Sequence, residues 1–267
     1  MKTIKLWEND IPYLNPEADT PNSMDCYFVE TWLPAPCVVI LPGGGYSHRA
    51  PHEGGPIAEY FNSRGIHAVV VNYRVAPNRY PASLADAQRA IKLLRANAKA
   101  WAVDPNHIFT LGFSAGGHLS ACCATLDDVL ADREDADEID KIPAKPNGCV
   151  LCYACVSFDR EYGHFGCGVN FLGAERAEKE SVYFSLENRV ADDTPPTFIW
   201  HTSDDNVVNV IQAMRYGEAL RRHGIPFEMH VYPNGPHGLG LAPDIVDIST
   251  WPKHCADWMI RQLRAGK

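Results

Sequence analysis

The sequence lacks any apolar run approaching the roughly 20 residues that a membrane-spanning helix needs, so a membrane protein is not expected. Basic side chains are in the minority, because 24 Lys and Arg stand against 33 Asp and Glu and the net charge is −9. A chain with a negative net charge offers no basic surface for neutralising phosphates, which argues against a nucleic-acid partner. The opening segment MKTIKLWENDIP contains no apolar core of a secretory signal, so we expect a cytoplasmic location.

Motifs that hold nucleotides are also missing. No G-x-G-x-x-G occurs, and neither Gly-Lys-Ser nor Gly-Lys-Thr follows the triple glycine at 43–45. The acidic stretch Asp127–Lys141 has no glycine at the position that an EF-hand loop requires, so we expect a solvated loop there. A nucleotide site and an EF-hand are therefore not expected, and the chemistry assigned below to Ser114, Asp205 and His237 implies no metal and no organic cofactor.

Two spacings nevertheless raise the question of a metal site. Cys149, Cys152 and Cys155 form C-x-x-C-x-x-C, but they span a predicted strand whose side chains point alternately to opposite faces. Buried free thiols are the favoured interpretation, since nine cysteines at irregular spacing without an export signal indicate a reduced protein. His48 and His52 lie four residues apart, but no predicted helix aligns them and no third ligand is evident. Substrate contact or a surface position is therefore favoured for both histidines.

The apolar residues that are present alternate between short β-branched runs and longer periodic stretches. This pattern is typical of a mostly parallel sheet with helices on both faces. Strands are predicted at residues 37–41, 67–72, 108–111, 150–156, 197–201 and 227–232. Ser83 and Asp86 fit a capping box at the start of the helix that follows the second of these strands.

We interpret residues 1–267 as a single α/β domain. The stretch around 157–196 is long and mixed in composition, and so long a connection in a compact domain is often functional. We therefore expect a loop-rich, cap-like insertion that roofs part of a substrate pocket.

The strongest chemical motif is Gly112-Phe113-Ser114-Ala115-Gly116, which matches G-x-S-x-G between a predicted strand and a predicted helix. A serine on such a sharp turn presents its Oγ above the sheet, where it can act as a nucleophile. Side chains in place of the flanking glycines would collide with neighbouring backbone. The alternative is a glycine-rich turn in which Ser114 only caps the helix.

A nucleophilic serine also needs a base, an acid that orients the base, and amide donors for an oxyanion. His237 lies in a Gly-Pro-His-Gly loop after the last strand, and Asp204 and Asp205 follow an earlier strand. The order Ser114, Asp205, His237 is the chain order of triads on the α/β-hydrolase fold. Asp204 is expected to cap the next helix instead. His118 and His201 are expected to be structural partners of buried polar groups.

Amide donors are available in two places. The Pro42–Tyr46 loop follows an early strand, and its glycines leave the backbone N–H groups unobstructed. Ala115 follows the serine at the positive end of a helix dipole. Both places are suited to binding a negative oxygen.

Taken together, PGGGY, NYRVAP, DPNHIFTLGFSAGGHLS, DDTPPTFIWHTSDDNVV and NGPHGLGL resemble the α/β-hydrolases of the acetylxylan and feruloyl esterase type, relatives of hormone-sensitive lipase. The resemblance extends from about Cys37 to Arg264. It implies a serine carboxylesterase with Ser114 as nucleophile, His237 as base and Asp205 as orienting acid. It also implies that the amides of Gly44, Gly45 and Ala115 form the oxyanion hole.

The expected substrate is a small-molecule or oligosaccharide ester, with short acyl groups such as acetyl on xylo-oligosaccharides. Feruloyl or general carboxylesterase activity, an acylaminoacyl peptidase-like hydrolase, and an inactive binding protein on the same fold remain alternatives. A homo-oligomer is left open, because the sequence does not determine the oligomeric state.

Overall fold

The computed structural model describes residues 1–265, so Gly266 and Lys267 of the predicted domain lie outside the described residues. The strands of its central sheet are β1 (Lys2–Lys5), β2 (Ser23–Tyr27), β3 (Ala35–Leu41), β4 (His67–Val71), β5 (Val103–Phe113), β6 (Gly148–Cys152), β7 (Thr197–Thr202) and β8 (Phe227–Tyr232). They lie in the order β1-β2-β4-β3-β5-β6-β7-β8, in which β2 is antiparallel to both β1 and β4, and β3 to β8 are parallel to one another.

Helices cover both faces of this sheet. They are α1 (Gly55–Asn62), α2 (Ala82–Ala96), α3 (Ala98–Trp101), α4 (Ala115–Thr125), α5 (Phe165–Leu172), α6 (Ala174–Glu180), α7 (Ile211–Arg222) and α8 (Trp251–Ala265). Val38 and Ile40 of β3 pack in one core cluster with α1 and α8, while Val39 and Leu41 pack in the other with α2, α4 and α7. The two-residue period of a strand thus builds one core on each face. This is the predicted α/β-hydrolase architecture.

The sequence prediction missed the first two strands, β1 and β2. The edge strand β1 carries Lys2 and Lys5 and is mostly exposed, so no apolar alternation marks it. The strand predicted at 150–156 ends already at Cys152, because Tyr153 adopts a positive φ of 36° and turns the chain. Cys155 therefore lies beyond the strand.

The predicted capping box is wrong. Ser83 is the second residue of α2, and Asp86 lies within the helix rather than at its third position. The Asp86 carboxylate instead accepts from the amide and guanidinium of Arg74, at 2.7 and 2.8 Å, and both side chains are buried. A buried guanidinium needs a charged partner, and that requirement decides the role of Asp86.

The acidic stretch is also not simply a solvated loop. Arg89 of α2 is buried, and its guanidinium contacts Asp137 and Asp140 at 2.6 and 2.7 Å. Lys92 on the same helix is buried too and contacts Asp128 at 2.6 Å. Hydrogen bonds from Arg89 lower the pKa of Asp137 to about 2. Part of this stretch therefore supplies the counter-charge for two buried cations.

The segment 157–196 is more regular than expected, since it contains α5, α6 and a short turn of 3-10 helix at Leu186–Asn188. It reaches the glycine loop, where the Asn170 side-chain amide donates to the Gly45 carbonyl oxygen at 2.9 Å. Within residues 1–265, no helix is both long and apolar enough to cross a membrane.

Candidate active site

Ser114 occupies a strained turn between β5 and α4, with φ 51° and ψ −117°. The flanking glycines make this turn feasible. A Cβ on Gly116 would lie 2.0 Å from the Leu41 carbonyl oxygen, and a Cβ on Gly112 would lie 1.9 Å from that of Gly116. No side chain fits at either position, which is the physical reason for the motif. A non-glycine residue with positive φ is costly and is typical of functional turns.

The structure brings Ser114, His237 and Asp205 together. Ser114 Oγ and His237 Nε2 are 2.9 Å apart, and His237 Nδ1 and Asp205 Oδ2 are 2.7 Å apart. Since Asp205 can only accept at Nδ1, the neutral imidazole carries its proton there and offers the lone pair of Nε2 to the serine hydroxyl. This is the geometry that a serine nucleophile and its general base require.

Asp205 is held by more than His237. Its Oδ1 accepts from the amides of Val207 and Val208 at 2.8 and 2.9 Å, and His201 Nε2 lies 3.3 Å from its Oδ2. Burial opposes ionisation, but hydrogen bonds from His201 and His237, together with the two amides, hold the pKa of Asp205 well below its usual range. The carboxylate is therefore ionised, as an orienting acid must be.

Asp204 has a different partner from the one predicted. Its Oδ1 accepts from the Gly235 amide at 2.8 Å, two residues before His237. The prediction that it caps the next helix is wrong, because the Asp205 carboxylate takes the amides that follow. Asp204 instead ties the loop after β7 to the loop that carries His237.

The candidate oxyanion donors come from the glycine loop and from the residue that follows Ser114. The amides of Gly44 and Gly45 donate to no protein acceptor in the described part of the chain, and Ala115 is the first residue of α4. The neighbouring Gly43 amide is already used, because it donates to Glu53 Oε2 at 2.7 Å. A Cβ on Gly44, where φ is +127°, would lie 2.3 Å from the His48 carbonyl oxygen. Glycine is therefore required for this backbone path.

Sequence reasoning did not identify Glu53, a buried carboxylate that joins the two loops of the site. Its Oε1 accepts from the Tyr153 hydroxyl at 2.6 Å, and that hydroxyl accepts from the Gly240 amide at 2.9 Å. The Tyr153 ring also lies against the His237 imidazole, with 4.9 Å between ring centroids. Glu53 thus connects Gly43 in the glycine loop with the loop after His237.

Three further histidines, His118, His48 and His52, have partners outside the Ser114, His237 and Asp205 group. His118 bonds the Tyr46 hydroxyl at 2.8 Å and the Phe184 carbonyl oxygen at 2.9 Å, and burial lowers its pKa to about 4. It is a neutral structural residue, as predicted. His48 contacts Ser47, whereas His52 bonds the Gly238 carbonyl oxygen at 2.9 Å.

All nine cysteines are free and buried, as the sequence predicted. Cys155 lies with His164 and Cys167, and their ligand atoms are all within 4.8 Å of one another. The His164 imidazole, however, already accepts from the Cys167 amide at 3.1 Å and caps α5. This grouping could not be predicted from the sequence, because Cys155, His164 and Cys167 do not match a spaced metal-binding motif.

The chain is similar to one known protein family and to several named proteins. Residues 24–220 match the BD-FAE family profile. The chain is 36% identical to endo-1,4-beta-xylanase B of Butyrivibrio fibrisolvens and 31% identical to an acetylxylan esterase of Xylanibacter ruminicola, in each case over 90% of its own length. It spans only 38% and 47% of those two proteins.

A solved structure matches nearly the whole chain. The acetyl ester-xyloside bifunctional hydrolase of Caldicellulosiruptor lactoaceticus is 41% identical, with a TM-score of 0.92 and coverage of 97% of this chain and 96% of that one. The family match, the two relatives and this structural likeness agree with the fold described above. The chain belongs to the BD-FAE family of α/β-hydrolases.

Proposed function

We propose that this protein is a serine carboxylesterase that removes short acyl groups, such as acetyl, from carbohydrate esters. The observation that carries the proposal is the continuous hydrogen-bonded path from Ser114 through His237 to Asp205, with contacts of 2.9 and 2.7 Å. The names of the acetylxylan esterase and of the acetyl ester-xyloside hydrolase support the substrate class.

The proposed reaction is acyl transfer in two halves. Ser114 Oγ attacks the ester carbonyl carbon while His237 Nε2 accepts the hydroxyl proton. The amides of Gly44, Gly45 and Ala115 bind the oxyanion of the tetrahedral intermediate. His237 then returns the proton to the departing alcohol, which leaves an acyl group on Ser114.

Water completes the cycle in the second half. His237 removes a proton from water, which attacks the acyl-enzyme, and the same amides bind the second oxyanion. The acid is released as the proton passes back to Ser114 Oγ. Asp205 stays ionised throughout and stabilises the imidazolium each time it forms. In this proposal, Ser114, His237, Asp205 and the three backbone amides carry out every step.

A panel of esters tests the proposal. We expect acetylated xylo-oligosaccharides and 4-nitrophenyl acetate to be hydrolysed, and we expect EDTA to leave the rate unchanged. The acetyl ester should be cleaved at least about tenfold faster than 4-nitrophenyl octanoate, a preference that needs only about 1.4 kcal/mol of discrimination. A preference for octanoate would indicate a lipase, and loss of activity on chelation that zinc restores would indicate a metal mechanism.

A further inference from the structure

A second histidine lies beside the proposed orienting acid. His201 belongs to β7, and its side chain is fully buried. Its Nε2 lies 2.9 Å from the Val208 carbonyl oxygen and 3.3 Å from Asp205 Oδ2. A carbonyl oxygen can only accept a hydrogen bond, so Nε2 carries a proton whether the imidazole is neutral or charged. The proton-bearing nitrogen therefore lies between two acceptors, and one of them is the carboxylate of the site.

His201 and His237 approach the same oxygen of that carboxylate. His237 Nδ1 lies 2.7 Å from Asp205 Oδ2, while Oδ1 accepts from the amides of Val207 and Val208 at 2.8 and 2.9 Å. The His201 contact is the longest of these, because its N–H group is shared with the Val208 carbonyl oxygen. Asp205 Oδ2 thus divides its negative charge between the proposed general base and a second ring.

This division of charge affects how readily His237 takes up a proton. An N–H group beside a carboxylate stabilises its negative charge and so weakens its attraction for a neighbouring cation. His237 becomes such a cation each time it accepts the Ser114 proton, and Asp205 stabilises it. The imidazolium therefore meets a less basic carboxylate while His201 is present than it would if His201 were removed.

We infer that His201 is a positioning residue that acts through Asp205, lowering the basicity of His237 and thereby extending activity to lower pH. The inference rests on the proposed function, because it takes His237 as the general base. The direction of the effect is the same in either charge state of His201, since an imidazolium would oppose protonation of His237 more strongly still. A histidine that only anchored the Val208 carbonyl would have no such effect on pH dependence.

The other titratable side chains around His237 have partners of their own. They are Tyr153, Glu53, His52 and Asp204. The Tyr153 hydroxyl donates to Glu53 at 2.6 Å, whereas His52 and Asp204 bond backbone groups of the loop that carries His237, at 2.9 and 2.8 Å. Substitution of His201 leaves all of these contacts in place, so a change in pH dependence would be transmitted through Asp205.

The pH dependence of kcat/KM on 4-nitrophenyl acetate tests the inference, because its acid limb reports protonation of the base in the free enzyme. His201→Leu removes the N–H group. We expect it to move the acid limb to higher pH by about 0.5 to 1 unit, since the carboxylate loses one stabilising donor. His201→Gln retains an N–H donor of similar reach and should keep the wild-type limb.

His118→Leu is the matched control for loss of a buried ring. It also removes a fully buried imidazole, but the partners of His118 are the Tyr46 hydroxyl and the Phe184 carbonyl oxygen. Whatever this substitution does to the rate, the acid limb should stay where it is in the wild type. A shift in His118→Leu equal to that in His201→Leu would overturn the inference.

A measurement on the wild type needs no variant to fold. Nitrogen NMR of the imidazole rings should show a proton on His201 Nε2 throughout the pH range in which activity rises. A His201 ring protonated at Nδ1 alone would overturn the inference, because its Nε2 could not donate toward Asp205.

The outcomes distinguish this inference from the proposed function. An unchanged acid limb in folded His201→Leu, or an equal shift in His201→Gln, would overturn the role of the His201 N–H group alone. In that case wild-type hydrolysis of 4-nitrophenyl acetate would still support the esterase. A wild type that hydrolyses no ester would contradict the proposed function itself.

Discussion

Asp205 and Asp204 are adjacent in sequence, but they bind different groups. Asp205 Oδ2 lies 2.7 Å from His237 Nδ1, while Asp204 Oδ1 accepts from the Gly235 amide. Asp205→Asn should therefore lower kcat by roughly 10⁴, because an amide can donate to Nδ1 and so stabilise the wrong imidazole tautomer. Asp204→Asn retains an acceptor oxygen for Gly235 and should cost less than about tenfold.

Steady-state kinetics of the two purified variants on 4-nitrophenyl acetate provide the measurement. Each variant is the control for the other, since both remove one negative charge from the same loop. A larger loss at Asp204 would show that the orienting acid has been assigned to the wrong residue.

Glu53 offers a second prediction at the scale of one side chain. Each of its oxygens accepts one hydrogen bond, from the Gly43 amide and from the Tyr153 hydroxyl. Glutamine keeps only one acceptor, so Glu53→Gln should disturb either the glycine loop or the Tyr153 contact. Losing a bond to a charged group costs about 1.5–3 kcal/mol, so we expect kcat to fall by about 10 to 100-fold with little change in KM.

Glu59→Gln is the matched control, because Glu59 is exposed on α1 and lies six residues further along the chain. It should leave kcat unchanged. A rise in KM at constant kcat for Glu53→Gln would contradict the positioning role.

The sequence identifies those site residues that belong to short local motifs. Ser114 lies between two glycines, and His237 lies in Gly-Pro-His-Gly, so each residue carries its own signal. Glu53 could not be predicted in this way, because its partner Tyr153 is 100 residues away. The partner of Asp204 could not be predicted for the same reason, since Gly235 lies 31 residues further along the chain.

At the scale of elements, the acidic stretch and α2 stabilise each other through charge. Asp140 is 2% exposed and lies 2.7 Å from the buried Arg89 guanidinium. Asp140→Asn leaves Arg89 with the carboxylate of Asp137 alone, so the free energy of unfolding should fall by about 1–3 kcal/mol. Urea unfolding measures the loss.

Asp132→Asn is the control for this substitution. Asp132 lies in the same stretch but is exposed, and its substitution should change the free energy of unfolding by less than about 0.5 kcal/mol. Equal effects of the two substitutions would mean that the stretch is only a solvated loop.

His118 joins α4 to Tyr46 and to the Phe184 carbonyl, and it should make stability depend on pH. Burial lowers its pKa to about 4 in the folded protein, against about 6.5 in an unfolded chain. The unfolded state therefore binds more protons between these values, and stability is lost as pH falls through that window. Between pH 7.5 and 5 the contribution is about 2 kcal/mol.

Urea unfolding of the wild type and of His118→Gln at both pH values isolates this contribution, because the variant has no titrating group there. The variant should lose less stability than the wild type on acidification. An identical loss in both proteins would show that other groups cause the pH dependence.

Elements with strong apolar patterns could be predicted, and elements without them could not. β3 and β4 are buried on both faces and read as continuous runs of β-branched residues. β1 reads Lys-Thr-Ile-Lys and has a single partly buried residue, so it resembles a loop in the sequence. The buried cations Arg89 and Lys92 of α2 could not be predicted, because the carboxylates that neutralise them lie 36 to 51 residues later in the chain.

At the scale of the whole molecule, the parallel sheet explains how the site assembles. β5, β7 and β8 are parallel, so their carboxyl ends meet at one edge, and the loops after them carry Ser114, Asp205 and His237. Ligand sites in open α/β sheets form at that edge. The order of strands was not predictable from the sequence in detail, but the parallel direction alone brings these three loops to the same end.

The central claim is that Ser114 is the nucleophile, and substitution of this residue tests it most directly. Ser114→Ala removes one oxygen from the turn and should leave the fold intact, as far-ultraviolet circular dichroism can verify. We predict that kcat/KM on 4-nitrophenyl acetate collapses, with a residual rate of roughly 10³ to 10⁴ over the uncatalysed reaction from binding and oxyanion stabilisation. Hydrolysis by the folded variant at the wild-type rate would contradict the account.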